Sequence, residues 1–70
     1  MKNETRSMLV KLTLSKNEQC SMLALKLLAN ETTIENEYKY AGGFMKAVLN
    51  GNYNDAITRA DNENKIALTK

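Results

Sequence analysis

The sequence predicts a small, mainly α-helical domain, and two observations support that fold class. After Tyr53, apolar and small residues recur at the 3.6-residue period that places side chains on one face of a helix. A nearly continuous apolar run over 22–29 follows residues that are typical of a helix start. Seventy residues are enough for one domain, and a domain of this size buries only about 60% of its unfolded surface. We therefore expect a single domain over 7–70 with a thin stability margin.

The N-terminal segment is the part of the chain where the pattern favours a strand. Residues 1–6 are polar, and we expect them to form a flexible basic arm. Over 7–14, apolar residues alternate with other residues, and only Leu9 breaks the alternation. Alternation is typical of a short β-strand with one apolar face. Such a strand must pair with the same segment of another subunit, because a lone strand is not stable; the alternative is a helix that continues into the next element.

The first predicted helix covers 16–29. Ser15 and Glu18 have the spacing of a capping box, and Asn30 can end the helix. Between Met22 and Ala29 only Lys26 is polar, so the apolar surface extends almost all round the helix. The few apolar residues elsewhere cannot cover it all. We therefore expect self-association or a partner's groove, with these self-association candidates: Leu23, Leu25, Leu27 and Leu28.

Two more helices are predicted over 43–50 and 53–68. The pair Gly42–Gly43 marks a boundary, because glycine inside a helix costs about 1 kcal/mol relative to alanine. Asn50–Gly51 supplies a helix stop, and Asn52 can cap the last helix. Between the first two helices, Thr32 or Thr33 can cap a brief helical turn. In the last helix Arg59 has acidic residues four positions away on both sides, which supports helix formation.

A part of this C-terminal region resembles a segment of known proteins. The shared elements are Gly43-Phe44, Ala47-Val48-Leu49, Asn50, Ala56, Arg59-Ala60-Asp61 and Asn64. With these residues the segment resembles one that recurs in short phage and prophage proteins of unassigned function. It covers under half of the chain, and the proline that often lies beside the glycine in those proteins is missing here. The resemblance implies phage origin and carries no known activity.

The composition argues against enzymatic and metal chemistry. The chain has no histidine and one cysteine, so we expect no internal disulfide, no zinc or transition-metal site and no cofactor. The usual general base and the usual nucleophile–base pairs are missing as well, which predicts a protein that is not an enzyme. Cys20 is interpreted as a small core residue. No apolar run approaches the ~18 residues of a membrane span, so the sequence predicts a cytoplasmic protein, in a host bacterium if it is phage-encoded.

The favoured function is that of a small interaction protein. We expect it to act as a homo-oligomer that binds a host protein or sequesters a small ligand, in the manner of host-takeover or anti-defence proteins. Aromatic and basic residues around a glycine pair form the candidate partner- or ligand-binding surface, although the same glycines also fit a simple helix boundary. The candidates are Tyr38, Lys39, Tyr40, Gly42, Gly43, Lys46 and Arg59.

The alternative function is transcriptional regulation. A basic arm, a short strand, a capped helix and a further helix resemble the ribbon–helix–helix family of DNA-binding dimers. That resemblance implies that strands paired across a dimer enter the major groove. Its candidate DNA-binding residues are Arg6, Leu9, Lys11 and Thr13. Three features depart from the family: Gly42–Gly43 interrupt the second helix that it requires, the outward row of the strand contains Leu9, and a third helix is extra. The net charge of +2 is also too small to indicate nucleic-acid binding.

Overall fold

The computed structural model of the chain describes all 70 residues, which form six helices and no strand. The helices are α1 (Asn3–Leu12), α2 (Glu18–Leu28), α3 (Ile34–Tyr38), α4 (Gly43–Leu49), α5 (Tyr53–Arg59) and α6 (Asn62–Leu68). They pack around one core within an envelope of 26 × 21 × 19 Å. The prediction of a mainly helical fold is therefore confirmed, whereas the predicted count of three helices is too low.

Helix α1 replaces the predicted strand over 7–14, and that prediction is wrong. The buried residues of α1 follow helical spacing: Thr5, Met8, Leu9 and Leu12. Val10 and Leu14, which contributed to the alternation, are both exposed. Leu9, the residue that broke the alternation, is completely buried. The helical period becomes visible only when Thr5 is counted with the core residues.

The core lies where α1 crosses the other helices. Helix α1 packs against α2, α4 and α6, while α5 and α3 both pack against α4. Every helix except the short α3 contributes at least one buried apolar residue. The core is formed by Met8, Leu9, Leu12, Ala24, Leu27, Met45, Ala47, Val48, Leu49, Ala56, Ala67 and Leu68.

Hydrogen bonds join the first turn of α1 to the end of α4. The Thr5 hydroxyl donates to the carbonyl oxygens of Val48 at 2.9 Å and Leu49 at 3.2 Å, and Thr5 is completely buried. Lys2 Nζ donates to the carbonyl oxygen of Asn50 at 2.9 Å. The carbonyls of Leu49 and Asn50 have no backbone donor at the end of the helix, so these bonds satisfy them. The Val48 carbonyl also accepts from the amide of Gly51. Residues 3–6, which the sequence assigned to a flexible arm, thus form the start of a packed helix.

Helix ends follow the local sequence closely where asparagine or glycine supplies the backbone conformation. Helix α2 ends before Asn30 (φ 61°) and α4 ends before Gly51 (φ 77°), as predicted. In both cases the amides of the two residues after the C-cap bond back to carbonyls in the last turn, which is a Schellman arrangement. Asn52 caps α5 and Thr33 caps α3, as the sequence indicated. The cap of α2 is Asn17 instead of Ser15.

The predicted helix over 53–68 is interrupted, so the prediction of one continuous helix is wrong. Ala60 has extended backbone (ψ 142°), and the carboxylate of Asp61 accepts a hydrogen bond from the amide of Asn64 at 2.9 Å. Asp61 is therefore the N-cap of a new helix. The break turns α6 so that Asn64 is buried, with its side-chain oxygen 2.7 Å from the hydroxyl oxygen of Ser15.

Replacing Thr5 with valine tests how much the junction between α1 and α4 contributes to folding. Valine keeps the shape of threonine and removes the donor that serves two buried carbonyls, so we expect Thr5→Val to lower the free energy of unfolding by about 1–3 kcal/mol. Thr5→Ser keeps the hydroxyl and should lose less. Denaturant unfolding followed by circular dichroism measures both. A Thr5→Val variant that is as stable as the parent would contradict this role of the hydroxyl.

Candidate functional site

The predicted binding residues belong to α3, α4, α5 and the connection between α3 and α4. Helix α3 packs on α4 and α4 packs on α5, so residues from three consecutive helices become neighbours. We call this area the α3–α4 surface. It consists of Tyr38, Lys39, Tyr40, Gly42, Gly43, Lys46 and Arg59.

Tyr38 is held against α4 by two contacts. The ammonium group of Lys46 lies 5.5 Å from the centroid of the Tyr38 ring, which is within the range of a cation–π interaction. The side-chain amide of Asn50, one turn further along, donates to the Tyr38 hydroxyl at 3.2 Å. Lys46 and Asn50 are four residues apart and so share one face of the helix. Tyr38 therefore lies along α4 with its hydroxyl already engaged.

Arg59 reaches across from α5 to the beginning of α4. Its Nε donates to the carboxylate of Asp55 at 3.0 Å. A Cβ atom on Gly43 would lie only 2.8 Å from Arg59 Nη1, whereas one on Gly42 would meet nothing within 4 Å. The missing side chain at Gly43 thus makes room for the guanidinium group. Glu63, the second acidic residue that the sequence placed near Arg59, lies on α6 beyond the break at Asp61.

Tyr40 is the more exposed of the two aromatic side chains of this surface. It lies in the connection between α3 and α4, where its backbone amide is bonded to the carbonyl of Glu37 at 3.1 Å. Its side chain is 83% exposed, and the neighbouring Lys39 is exposed too. An aromatic ring on a hydrogen-bonded backbone is thus presented beside Gly42 and Gly43.

The charge of this region is mixed. Lys39, Lys46 and Arg59 are basic, and Asp55 pairs with Arg59. Helix α3 adds Glu35 and Glu37, so the basic groups form no uniform positive patch. A strip of Lys and Arg without acidic neighbours is the usual feature of a nucleic-acid interface, and this surface lacks it.

The predicted self-association leucines have different environments. Leu27 is buried in the core, and Leu23 and Leu28 are half-buried against it. Leu25 alone among them is exposed, and the sequence-based list missed its equally exposed neighbour Met22. Leu25 thus agrees with the expectation that the chain cannot cover all of this helix, whereas Leu27 is covered by the chain's own core. The cover comes mainly from α1, which the sequence did not predict to be a helix. Self-association stays a prediction.

The alternative DNA-binding residues do not form a row that could read bases. Leu9 is completely buried, Lys11 Nζ donates to the carbonyl of Leu68 at 3.4 Å, and the Thr13 hydroxyl donates to the carbonyl of Val10. Arg6 is exposed on α1. Since the segment is helical, the paired ribbon on which the ribbon–helix–helix interpretation depended is missing.

Cys20 belongs to a polar cluster that joins the α1–α2 turn to α6. The side-chain amide of Asn64 donates to Cys20 Sγ at 3.2 Å and its oxygen accepts from Ser15. Next to it, Asn17 donates to the carboxylate of Asp61 at 2.9 Å. Burial raises the pKa of the Cys20 thiol above its usual value; the bond from Asn64 lowers it, and the charge of Asp61 raises it further. These contacts describe a half-buried thiol whose reactive thiolate form is disfavoured.

Grooves that could hold a small ligand lie away from the α3–α4 surface. The largest is an open groove of about 410 Å³, lined by Asn3, Glu4, Ser7, Met8, Lys11 and Tyr53. No cluster of three or more metal-ligating side chains occurs in the molecule. None of the six helices has both the length and the apolar character that a membrane span requires.

Comparison of the chain with family models, with curated proteins and with solved structures gives no match. The resemblance to phage proteins therefore stays a prediction, and function is inferred from the surfaces of the molecule.

The state of Cys20 leads to a prediction about thiol reactivity. Because its pKa is raised in the folded protein, the thiolate forms at higher pH there than in the unfolded chain. We expect iodoacetamide to alkylate the native protein more slowly than the urea-unfolded protein at the same pH. The midpoint of the plot of alkylation rate against pH should lie at higher pH for the native protein than for the unfolded protein. By linkage, the thiol's contribution to stability is lost as pH rises from the unfolded to the folded pKa. Equal alkylation rates in the two states would contradict a packed thiol.

Proposed function

We propose that this chain is a non-enzymatic interaction protein that binds a partner protein through the α3–α4 surface. The observation that carries the proposal is the 83% exposure of Tyr40, in the connection that leads to Gly42 and Gly43. Tyrosine and arginine are among the residue types that contribute most binding energy at protein interfaces. A tyrosine buries a large area at low entropic cost, and the hydroxyl keeps it compatible with water before binding.

Preorganisation of the neighbouring side chains supports this proposal. Tyr38 is held by Lys46 and Asn50, and Arg59 is held by Asp55 across the start of α4. Side chains that are already ordered lose less conformational entropy when a partner arrives. Tyr38 and Arg59 are thus held by neighbouring side chains, while Tyr40 supplies the most exposed aromatic ring.

The chemistry of the surface favours a protein over a nucleic acid or a small molecule. The acidic residues on α3 interrupt the positive charge that phosphate binding requires. None of the three grooves is lined by residues of this surface, so a small ligand would find no concave site there. The resemblance to phage proteins supports a host protein as the partner, which makes a host-takeover or anti-defence role the proposed context.

Site-specific photo-crosslinking tests whether Tyr40 faces a partner. A benzophenone amino acid at position 40 should give a discrete adduct in producing or infected cells, while the same group at Ile66, an exposed position on α6, should not. The adduct should be destroyed by protease and resist nuclease. Equal adducts from both positions, or an adduct that nuclease removes, would overturn the proposal of a protein partner at this surface.

The two adjacent glycines offer a matched pair for testing Arg59. An alanine at position 43 must displace the end of the Arg59 side chain, whereas an alanine at position 42 meets nothing. With the crosslinked partner in hand, we expect Gly43→Ala to weaken its binding about tenfold, a loss of about 1.4 kcal/mol. Gly42→Ala, which leaves Arg59 in place, should weaken binding clearly less. Arg59→Ala and Tyr40→Ala should each weaken binding at least as much as Gly43→Ala. Isothermal titration measures all four, and equal affinities for the two alanine variants would count against the role of Arg59.

A further inference from the structure

Helix α2 has a second apolar stripe, on the side that faces away from the core. Its inner face is buried through Ala24 and Leu27. On the outer face, Met22 and Leu25 are 55% and 54% exposed, and Ala29 at the end of the helix is exposed as well. Together with the exposed Glu18 they are spaced by four, three and four residues. This is the spacing of the contact seam in a coiled coil.

We infer that this outer stripe is a self-association site, and that its occupant is α2 of a second copy packed antiparallel across a two-fold axis. With the axis between Met22 and Leu25, each Met22 lies opposite the partner's Leu25. The contact is isologous and closes on itself, as most dimer interfaces do. It involves none of the residues of the α3–α4 surface, so it stands independently of the proposed function.

The charges near the two ends of α2 favour a second copy of this chain as the occupant, and they favour the antiparallel direction. Glu18 lies in the first turn of α2 and Lys26 lies in the last, and both are exposed. In the antiparallel arrangement Glu18 of each protomer comes within one helical turn of the partner's Lys26. A parallel arrangement would bring like charges together at each end, which is unfavourable. Antiparallel packing also places the positive end of each helix dipole near the negative end of the other, which is favourable.

The length of α2 limits how tightly two copies associate. Eleven residues span about 16 Å at 1.5 Å per residue. A contact along one such helix is smaller than the ~800 Å² per partner of a standard interface, so we expect a dissociation constant on the order of 100 µM. Sedimentation equilibrium across a concentration series up to about 1 mM covers this range.

The experiment begins with a pair of substitutions at equally exposed apolar positions. Leu25 and Ile66 are 54% and 52% exposed, on α2 and α6 respectively. We expect Leu25→Lys to abolish the dimer and Ile66→Lys to leave its dissociation constant unchanged. Circular dichroism establishes that both variants keep the helical fold. Equal weakening by the two substitutions would overturn the proposal, because it would indicate unspecific association of apolar surface.

Charge reversal then tests the antiparallel pairing directly. Glu18→Lys alone and Lys26→Glu alone each place like charges opposite one another twice, and each should weaken the homodimer about tenfold or more. Mixing the two single variants restores both opposite-charge pairs in a heterodimer, so the mixture should dimerise nearly as well as the parent. Residues 18 and 26 are eight positions apart in one helix, too far for this rescue to arise within a single chain. A parent protein that stays monomeric up to about 1 mM, or a mixture that stays monomeric, would overturn the inference.

Discussion

The burial of α1 is the constraint on which the rest of the structure depends. Four of the seven largest fully buried side chains come from this one helix: Thr5, Met8, Leu9 and Leu12. Helices α2, α4 and α6 each pack against it, and α3 and α5 are then placed by α4. A 70-residue chain has little surface to bury, so a central helix that contacts three others is an effective way to form one core. The α3–α4 surface is therefore built on α1 indirectly, through α4.

Two polar junctions decide which arrangement of six short helices is adopted. At one end, the Thr5 hydroxyl bonds to the last carbonyls of α4. At the other, Asn64 joins Ser15 to Cys20 and so positions α6 on the α1–α2 turn. No buried side-chain nitrogen or oxygen lacks a hydrogen-bond partner. Apolar packing tolerates several arrangements, but a buried polar group without its partner is costly, so these junctions disfavour alternative packings.

Features encoded within a few residues could be predicted from the sequence, and features that depend on distant contacts could not. The ends of α2 and α4 were predictable because Asn30 and Gly51 supply left-handed backbone locally. The strand over 7–14 was predicted wrongly because Thr5 was not recognised as a core residue; only its contact with α4 explains its burial. The break at Asp61 was missed because the apolar period continues across it. Likewise, the approach of Arg59 to Gly43 joins two helices and leaves no local signal.

The positions of α1 and α6 also determine when this chain can complete its fold. Lys11 bonds to the carbonyl of Leu68, 57 residues later, and Tyr53 bonds to the same carbonyl. The apolar stripe of α1 thus has a complete set of neighbours only once α6 has packed against it. Completion of the core therefore carries the entropic cost of closing most of the chain into a loop, which slows folding relative to a domain held together by local contacts.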